Sequence, residues 1–200
     1  MPSFTAVDWS GSPGNRHGTL LVFAAVHFDE VTRTGALEAE LLAIKQTLGV
    51  PSGFVFKHDS ASPRVKQEIF AALGRLGFSA HVLCLDKQAW RSIHPGAKGD
   101  EMLQDGVVVL AAACPDTVVA RNVLLIDPPS ARFVNDCRTP INRACRAQHR
   151  TGYRSIRGLQ DTHREGGIIQ VADMIAGEVR VHGGLAGPHL PGLEAKLTLL

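Results

Sequence analysis

Three aspartates stand at positions where carboxylates do chemistry. Asp8 ends the stretch Phe4-Thr5-Ala6-Val7, Asp127 ends Asn122-Val123-Leu124-Leu125-Ile126, and Asp173 lies within Gly167 to Arg180. The first two stretches read as buried strands. In an open α/β sheet, the carboxyl ends of neighbouring strands share one crevice. If these two strands are neighbours, Asp8 and Asp127 converge there, and Asp173 adds a third carboxylate. Each like-charged pair at about 4 Å costs on the order of 4 kcal/mol at an effective dielectric near 20. Such a group either retains protons or binds a divalent cation. An all-oxygen donor set suits Mg2+ or Mn2+. The matching chemistry is phosphoryl transfer or phosphodiester hydrolysis, with one ion activating water and another stabilising the leaving oxygen. Aspartate also forms turns at strand ends, so the reading rests on the three residues together.

Positive charge is concentrated in one stretch. Residues 132 to 164 carry eight arginines, against two acids and no lysine. Arg143, Arg146 and Arg150 are spaced for one helix face, and Arg154 and Arg157 follow. Guanidinium forks suit phosphate oxygens, so a basic stripe beside an acidic centre fits a nucleic-acid partner. Tyr153 is the one aromatic nearby, which gives no stacking platform for single strands. His58 and His163 are candidates for general acid or base, given the pKa range of histidine. Ser10 and Ser12 lack a nucleophile-elbow context. The turn Gly11-Ser12-Pro13-Gly14 lacks the Gly-Lys-Ser/Thr ending of a P-loop.

The elements that must position these groups can be read in order. Ile168, Val171, Ala172, Ile175, Ala176 and Val179 make an apolar helical stripe, with Asp173 at its edge. Gly177 costs such a helix about 1 kcal/mol relative to Ala, so its position predicts a close neighbour or ligand. Phe4–Asp8 and Thr19–Phe28 predict an antiparallel hairpin. Leu37, Leu41, Ile44 and Leu48 predict a helix that stops at Gly49-Val50-Pro51. Gly53–His58 reads as a short strand. Ser62-Pro63 opens a helix closed by Gly77. A strand over Phe78–Leu85 and a polar loop through Trp90 and His94 follow. Glu101–Cys114 reads as a helix and Asn122–Asp127 as a strand. Thr139-Pro140 opens a helix to about Gln148, and Tyr153–Leu159 is a strand or extended loop. Strands alternating with helices after an opening hairpin define an α/β fold with a mixed sheet.

Composition agrees with a soluble globular chain. It is 44% hydrophobic and 20% charged, with a net charge of +2. Two hundred residues suit one domain or two small ones. The glycine- and proline-rich tail from about residue 183 is expected to pack loosely. Cys84, Cys114, Cys137 and Cys145 form no CxxC pair, which fits a reduced, cytoplasmic location. No leader or membrane span is predicted.

Asp8-Trp9-Ser10-Gly11, Leu125-Ile126-Asp127, Asp161-Thr162-His163 and above all Gln170-Val171-Ala172-Asp173-Met174-Ile175-Ala176-Gly177 resemble the domain-of-unknown-function 3800 family. The resemblance implies a single ribonuclease H-like domain over residues 1–200. It also implies an acidic centre at Asp8, Asp127 and Asp173, with Asp161 as a further recurrent acid. Lys57-His58 matches a polar pair of the family. Two positions depart from its pattern. Trp9 replaces a glutamate, and Phe56 replaces an acid before Lys57. Asp59, Glu38 and Glu40 are candidates to make up the loss. Three functions follow: a metal-dependent nuclease acting on RNA or DNA, a non-catalytic nucleic-acid- or protein-binding module, and an ATP-using phosphotransferase.

Overall fold

The longest apolar run forms the central strand. β2 (Leu20–Phe28) is buried from Leu21 to Phe28, because both of its faces and both of its edges are covered. It pairs antiparallel with β1 (Phe4–Ser10) and with β3 (Ser79–Asp86). β4 (Val123–Ile126) lies parallel to β1 on the other side, and β5 (Ser155–Gly158) lies parallel to β4. β6 (Leu197–Leu199) adds a parallel edge beside β3, giving the order β5-β4-β1-β2-β3-β6. This computed structural model describes residues 3–14, 18–28, 31–120, 122–159, 166–184, 190, 193 and 196–200.

Side chains alternate across a strand, so the sheet has two cores. Val22, Ala24, Val26 and Phe28 face α1 (Val31–Leu48), α2 (Pro63–Arg75) and α7 (Gly167–Val181). Leu21, Phe23 and Ala25 face α3 (Lys87–Ile93), α4 (Gly99–Ala113), the one-turn α5 (Asp116–Val119) and α6 (Ala131–Ala147). The predicted mixed α/β sheet with an opening antiparallel hairpin is the observed one.

Four local readings are corrected. Residues 53–58 form an extended loop, not a strand, and run into a single 3-10 turn at His58–Ser60. Two of the loop's backbone N–H groups bond side chains of α7 instead of a neighbouring strand: Phe56 N donates to Gln170 Oε1 (3.0 Å) and His58 N to Asp173 Oδ2 (2.8 Å). The segment through Trp90 is helical, because Asp86 caps α3 by accepting from Gln88 N and Ala89 N. α6 starts eight residues before Thr139, capped by Ser130, and Pro140 lies in its interior. Proline there removes the bond to the Asp136 carbonyl, and Gln104 Nε2 donates to that oxygen instead (2.8 Å). The tail is not loose where it is described: Leu190 and Leu193 are fully buried and β6 joins the sheet.

Candidate active site

β1 and β4 are parallel neighbours with Ala6 opposite Leu125 and Val7 opposite Ile126. The register therefore carries Asp8 and Asp127 to the same sheet edge, and Asp127 N donates to Val7 O (3.2 Å). α7 packs across β1 and β2 and brings Asp173 over that edge. Asp8 is 5% exposed, and its Oδ1 accepts from Trp9 N (2.7 Å). Burial pushes the Asp8 carboxyl well above its ordinary value, and the charges of Asp173 and then Asp127 push it further. The Trp9 N–H and the Lys57 ammonium oppose them. Asp173 is also raised, chiefly by burial, against the His58 N–H and the Lys57 charge. Lys57 Nζ stands 4.0 Å from Asp127 Oδ2. The three predicted aspartates thus act on a shared electrostatic centre, with a lysine ammonium among them.

The donor set fits a hard divalent cation in kind, since it offers carboxylate oxygens only and Asp8 faces two like charges from inside the fold. In spacing, among the described residues, no three His, Cys, Asp or Glu side chains stand close enough together to hold one ion. Lys57 supplies compensating charge in this arrangement.

The two departures from the family pattern have structural occupations. Trp9 points to the face opposite Asp8 and packs against Phe133 and Phe23, with ring centroids 5.7 and 6.2 Å away. Phe56 is fully buried against Phe54. The three acids considered as replacements are engaged elsewhere. Glu38 accepts from Gly167 N at the start of α7 (3.1 Å), Glu40 pairs with Arg75 (2.9 Å), and Asp59 pairs with Arg180 (3.1 Å).

His58 is placed differently from a general acid or base that meets substrate. It is 2% exposed, and its Nε2 contacts Glu178 Oε2 (2.9 Å) and Lys66 Nζ (2.8 Å). Glu178 in turn reaches His182 Nε2 (3.2 Å). Burial pushes the Glu178 carboxyl up, but the His58 hydrogen bond, the Lys66 charge and His182 together bring it below its ordinary value. The ring sits in the notch left by Gly177, which explains that glycine. The ring is thus held by Glu178 and Lys66, while the His58 backbone N–H bonds Asp173 Oδ2. Asp161, His163 and Arg164 lie outside the described residues.

The arginine stripe divides. Arg150 lies beyond the end of α6, and its side chain, 12% exposed, is spent on the α4–α5 corner. It donates to Asp116 Oδ1 (2.5 Å), to Ala112 O (2.6 Å) and to Cys114 O. Arg143 and Arg146 are exposed on α6. The helix starts four residues after Asp127, so at 1.5 Å per residue they stand about 18 and 22 Å down its axis. They do not flank the carboxylates. Arg154 and Arg157 are exposed, and Arg157 pairs in register with Leu125, two residues before Asp127.

The sequence marked Lys57 only within a polar pair and Gln170 only within the α7 motif, without a role for either, and did not mark Lys87 or Arg180. A helical-spacing signal was present for Gln170 and Arg180. Gln170 and Arg180 lie one turn before and two turns after Asp173 on α7.

This architecture is shared with known structures. The PCNA:RNase HII complex from Archaeoglobus fulgidus matches over 94% of this chain and 81% of that one, with a TM-score of 0.59 and 14% identity. Ribonuclease H2 from Pyrococcus horikoshii OT3 matches over 90% and 72%, with a TM-score of 0.56 and 14% identity. Bst-RNase HIII in complex with Mn2+ matches over 90% of this chain and 52% of that one, with a TM-score of 0.54 and 17% identity. No family model matches the chain, and no curated protein matches it in sequence. The chain has the ribonuclease H-like fold. Among the described residues, no helix is long and apolar enough to cross a membrane.

Proposed function

We propose that the chain is a divalent-metal-dependent nuclease that hydrolyses phosphodiester bonds of RNA or DNA, and a member of the domain-of-unknown-function 3800 family. The reading is supported chiefly by the β1–β4 register, which carries Asp8 and Asp127 to one sheet edge, and by the charges of Asp173 and Asp127, which add to burial in raising the Asp8 carboxyl. Asp8, Asp127 and Asp173 would hold Mg2+ or Mn2+, which supplies activated water and neutralises charge on the leaving oxygen. Asp161 is a further acid of the same reading. The Mn2+ complex of Bst-RNase HIII supports it by fold alone.

The chain's own residues have separable roles. Lys57 sits beside Asp127 and can transfer its charge to a substrate phosphate oxygen once a cation occupies the centre. His58 and Gly177 hold the loop that carries Lys57. Gln170 ties the same loop at Phe56 N. Arg154 and Arg157 are the arginines placed to follow a nucleic-acid backbone near β5, with Arg143 and Arg146 available to a longer one.

The test is cleavage of labelled RNA, DNA and RNA–DNA hybrid with Mn2+ or Mg2+. Turnover is expected in the wild type and lost in Asp8→Asn, Asp127→Asn and Asp173→Asn variants that remain folded. Full activity in all three would remove the reading. A second reading, a binding module without catalysis, is favoured by Lys57, whose ammonium already stands in the acidic centre. Under that reading nucleic-acid binding survives EDTA and no turnover occurs with any divalent metal.

A further inference from the structure

Lys57 is carried by a loop that α7 holds on both sides of it. Phe56 N donates to Gln170 Oε1 (3.0 Å) and His58 N to Asp173 Oδ2 (2.8 Å). Two further ties follow at once: the His58 ring meets Glu178 (2.9 Å), and Asp59 accepts from Arg180 (3.1 Å). The Lys57 backbone between these ties is extended, with φ −124° and ψ 130°. The main chain is thus fixed, and only the four-carbon stem of the side chain can move. That side chain is 44% exposed, and its Nζ stands 4.0 Å from Asp127 Oδ2, beyond hydrogen-bond length. Its charge also lowers the Asp8 and Asp173 carboxyls. A lysine held permanently looks different in this fold: Lys196 Nζ donates to the carbonyls of Leu73 and Gly74 (both 2.9 Å) and of Leu76 at the end of α2.

We propose that the Lys57 ammonium is the resident counter-charge of the carboxylate centre, and that a divalent cation enters only by displacing it. Gathered carboxylates need a compensating positive charge. Among the described residues, no three His, Cys, Asp or Glu side chains stand close enough to hold one ion, whereas an ammonium already faces Asp127. An ion held by Asp8, Asp127 and Asp173 would meet that ammonium at short range, and like charges repel. An ion pair this exposed is weak, so the lysine can yield. Its side chain swings into water without disturbing the ties at Phe56 and His58. Metal affinity is then set by a competition inside the chain as well as by the carboxylates. The displacement rests on the metal-dependent reading, whereas the counter-charge role does not.

Two measurements separate these claims. Calorimetric titration with Mn2+ compares wild type, Lys57→Met and Lys57→Arg. Methionine keeps most of the stem and removes the charge, and arginine keeps the charge. Lys57→Met is expected to bind Mn2+ about fivefold more tightly or better, with Lys57→Arg close to wild type. In EDTA, denaturation midpoints are compared for Lys57→Met alone and combined with Asp127→Asn. The lysine substitution should lower the midpoint in the wild-type background, and lower it less where Asp127 is already neutral. Saturable Mn2+ binding that is equal or weaker in Lys57→Met overturns the displacement and leaves the nuclease reading standing. Binding by Lys57→Met but not by wild type upholds the displacement, with the ammonium as the stronger occupant. No saturable binding by any of the three proteins overturns the displacement together with the nuclease reading. Equal midpoint losses in the two backgrounds overturn the counter-charge role whatever Mn2+ does.

Discussion

His58 fills the space that a side chain at position 177 would need. A β-carbon on Gly177 would lie 2.1 Å from His58 Cγ and 2.4 Å from Nδ1. The glycine costs α7 about 1 kcal/mol in helix propensity, and the ring it admits anchors the Lys57 loop. Gly177→Ala is therefore expected to destabilise the fold by about 1–3 kcal/mol through overpacking, in spite of the better helix former. Chemical denaturation measures it. An unchanged or higher midpoint would show that His58 moves aside at no cost.

Asp8 should weaken the fold it serves. Its pKa is raised in the folded chain above the ordinary 3.8, so the folded state holds the proton more tightly than the unfolded state. Stability therefore falls as pH rises from about 3.8 through the raised value, and the loss is complete above it. Asp8→Asn keeps the oxygen that accepts from Trp9 N and removes the charge. It is expected to raise stability at neutral pH and to flatten that acid-range slope. Unfolding midpoints across the pH range test both outcomes, and a destabilised Asn variant would contradict them.

His81 has the opposite sign. It is 5% exposed, and neither ring nitrogen has a hydrogen-bond partner among the described residues. Burial, and then the neighbouring His27, lower its pKa from the ordinary 6.5. The unfolded chain therefore takes up a proton more readily, and stability is lost as pH falls below about 6.5. His81→Leu should stabilise the protein at pH 6 more than at pH 8. An equal effect at both values would show that the ring does not titrate differently in the two states.

Arg150 is a corner brace. Its guanidinium serves the carbonyls of Ala112 and Cys114 at the end of α4 and the Asp116 carboxylate that opens α5. Arg150→Ala should cost about 1–3 kcal/mol by leaving buried carbonyls unsatisfied. Arg143→Ala and Arg146→Ala should each stay within about 0.5 kcal/mol of wild type. Equal effects from all three would mean that the corner tolerates the loss.

The parts of the fold legible in sequence were those with strong periodicity. β1, β2 and β4 are continuous apolar runs, and the stripe on α7 repeats at helical spacing, so the edge that bears Asp8, Asp127 and Asp173 followed from pattern and topology rules. The errors fell where tertiary bonds replaced local ones. Phe54 and Phe56 alternate like a strand, but the loop's N–H groups at Phe56 and His58 bond Gln170 and Asp173, more than 110 residues away. Pro140 looks like a helix start because the donor that relieves its lost bond, Gln104, belongs to another helix. Lys57 was marked in sequence only by its match to a polar pair of the family, because the acids around it come from distant parts of the chain: Asp8, Asp127 and Asp173. Arg150 looked like a member of a stripe because helical spacing was extended past the end of α6.

If Asp8, Asp127 and Asp173 close on a shared divalent cation, calorimetric titration of the protein with Mn2+ at neutral pH will show it. Saturable binding is expected in the wild type, lost or much weakened in Asp8→Asn and Asp173→Asn and retained in Arg150→Ala. No saturable binding, or binding of equal strength in wild type and both asparagine variants, would contradict it.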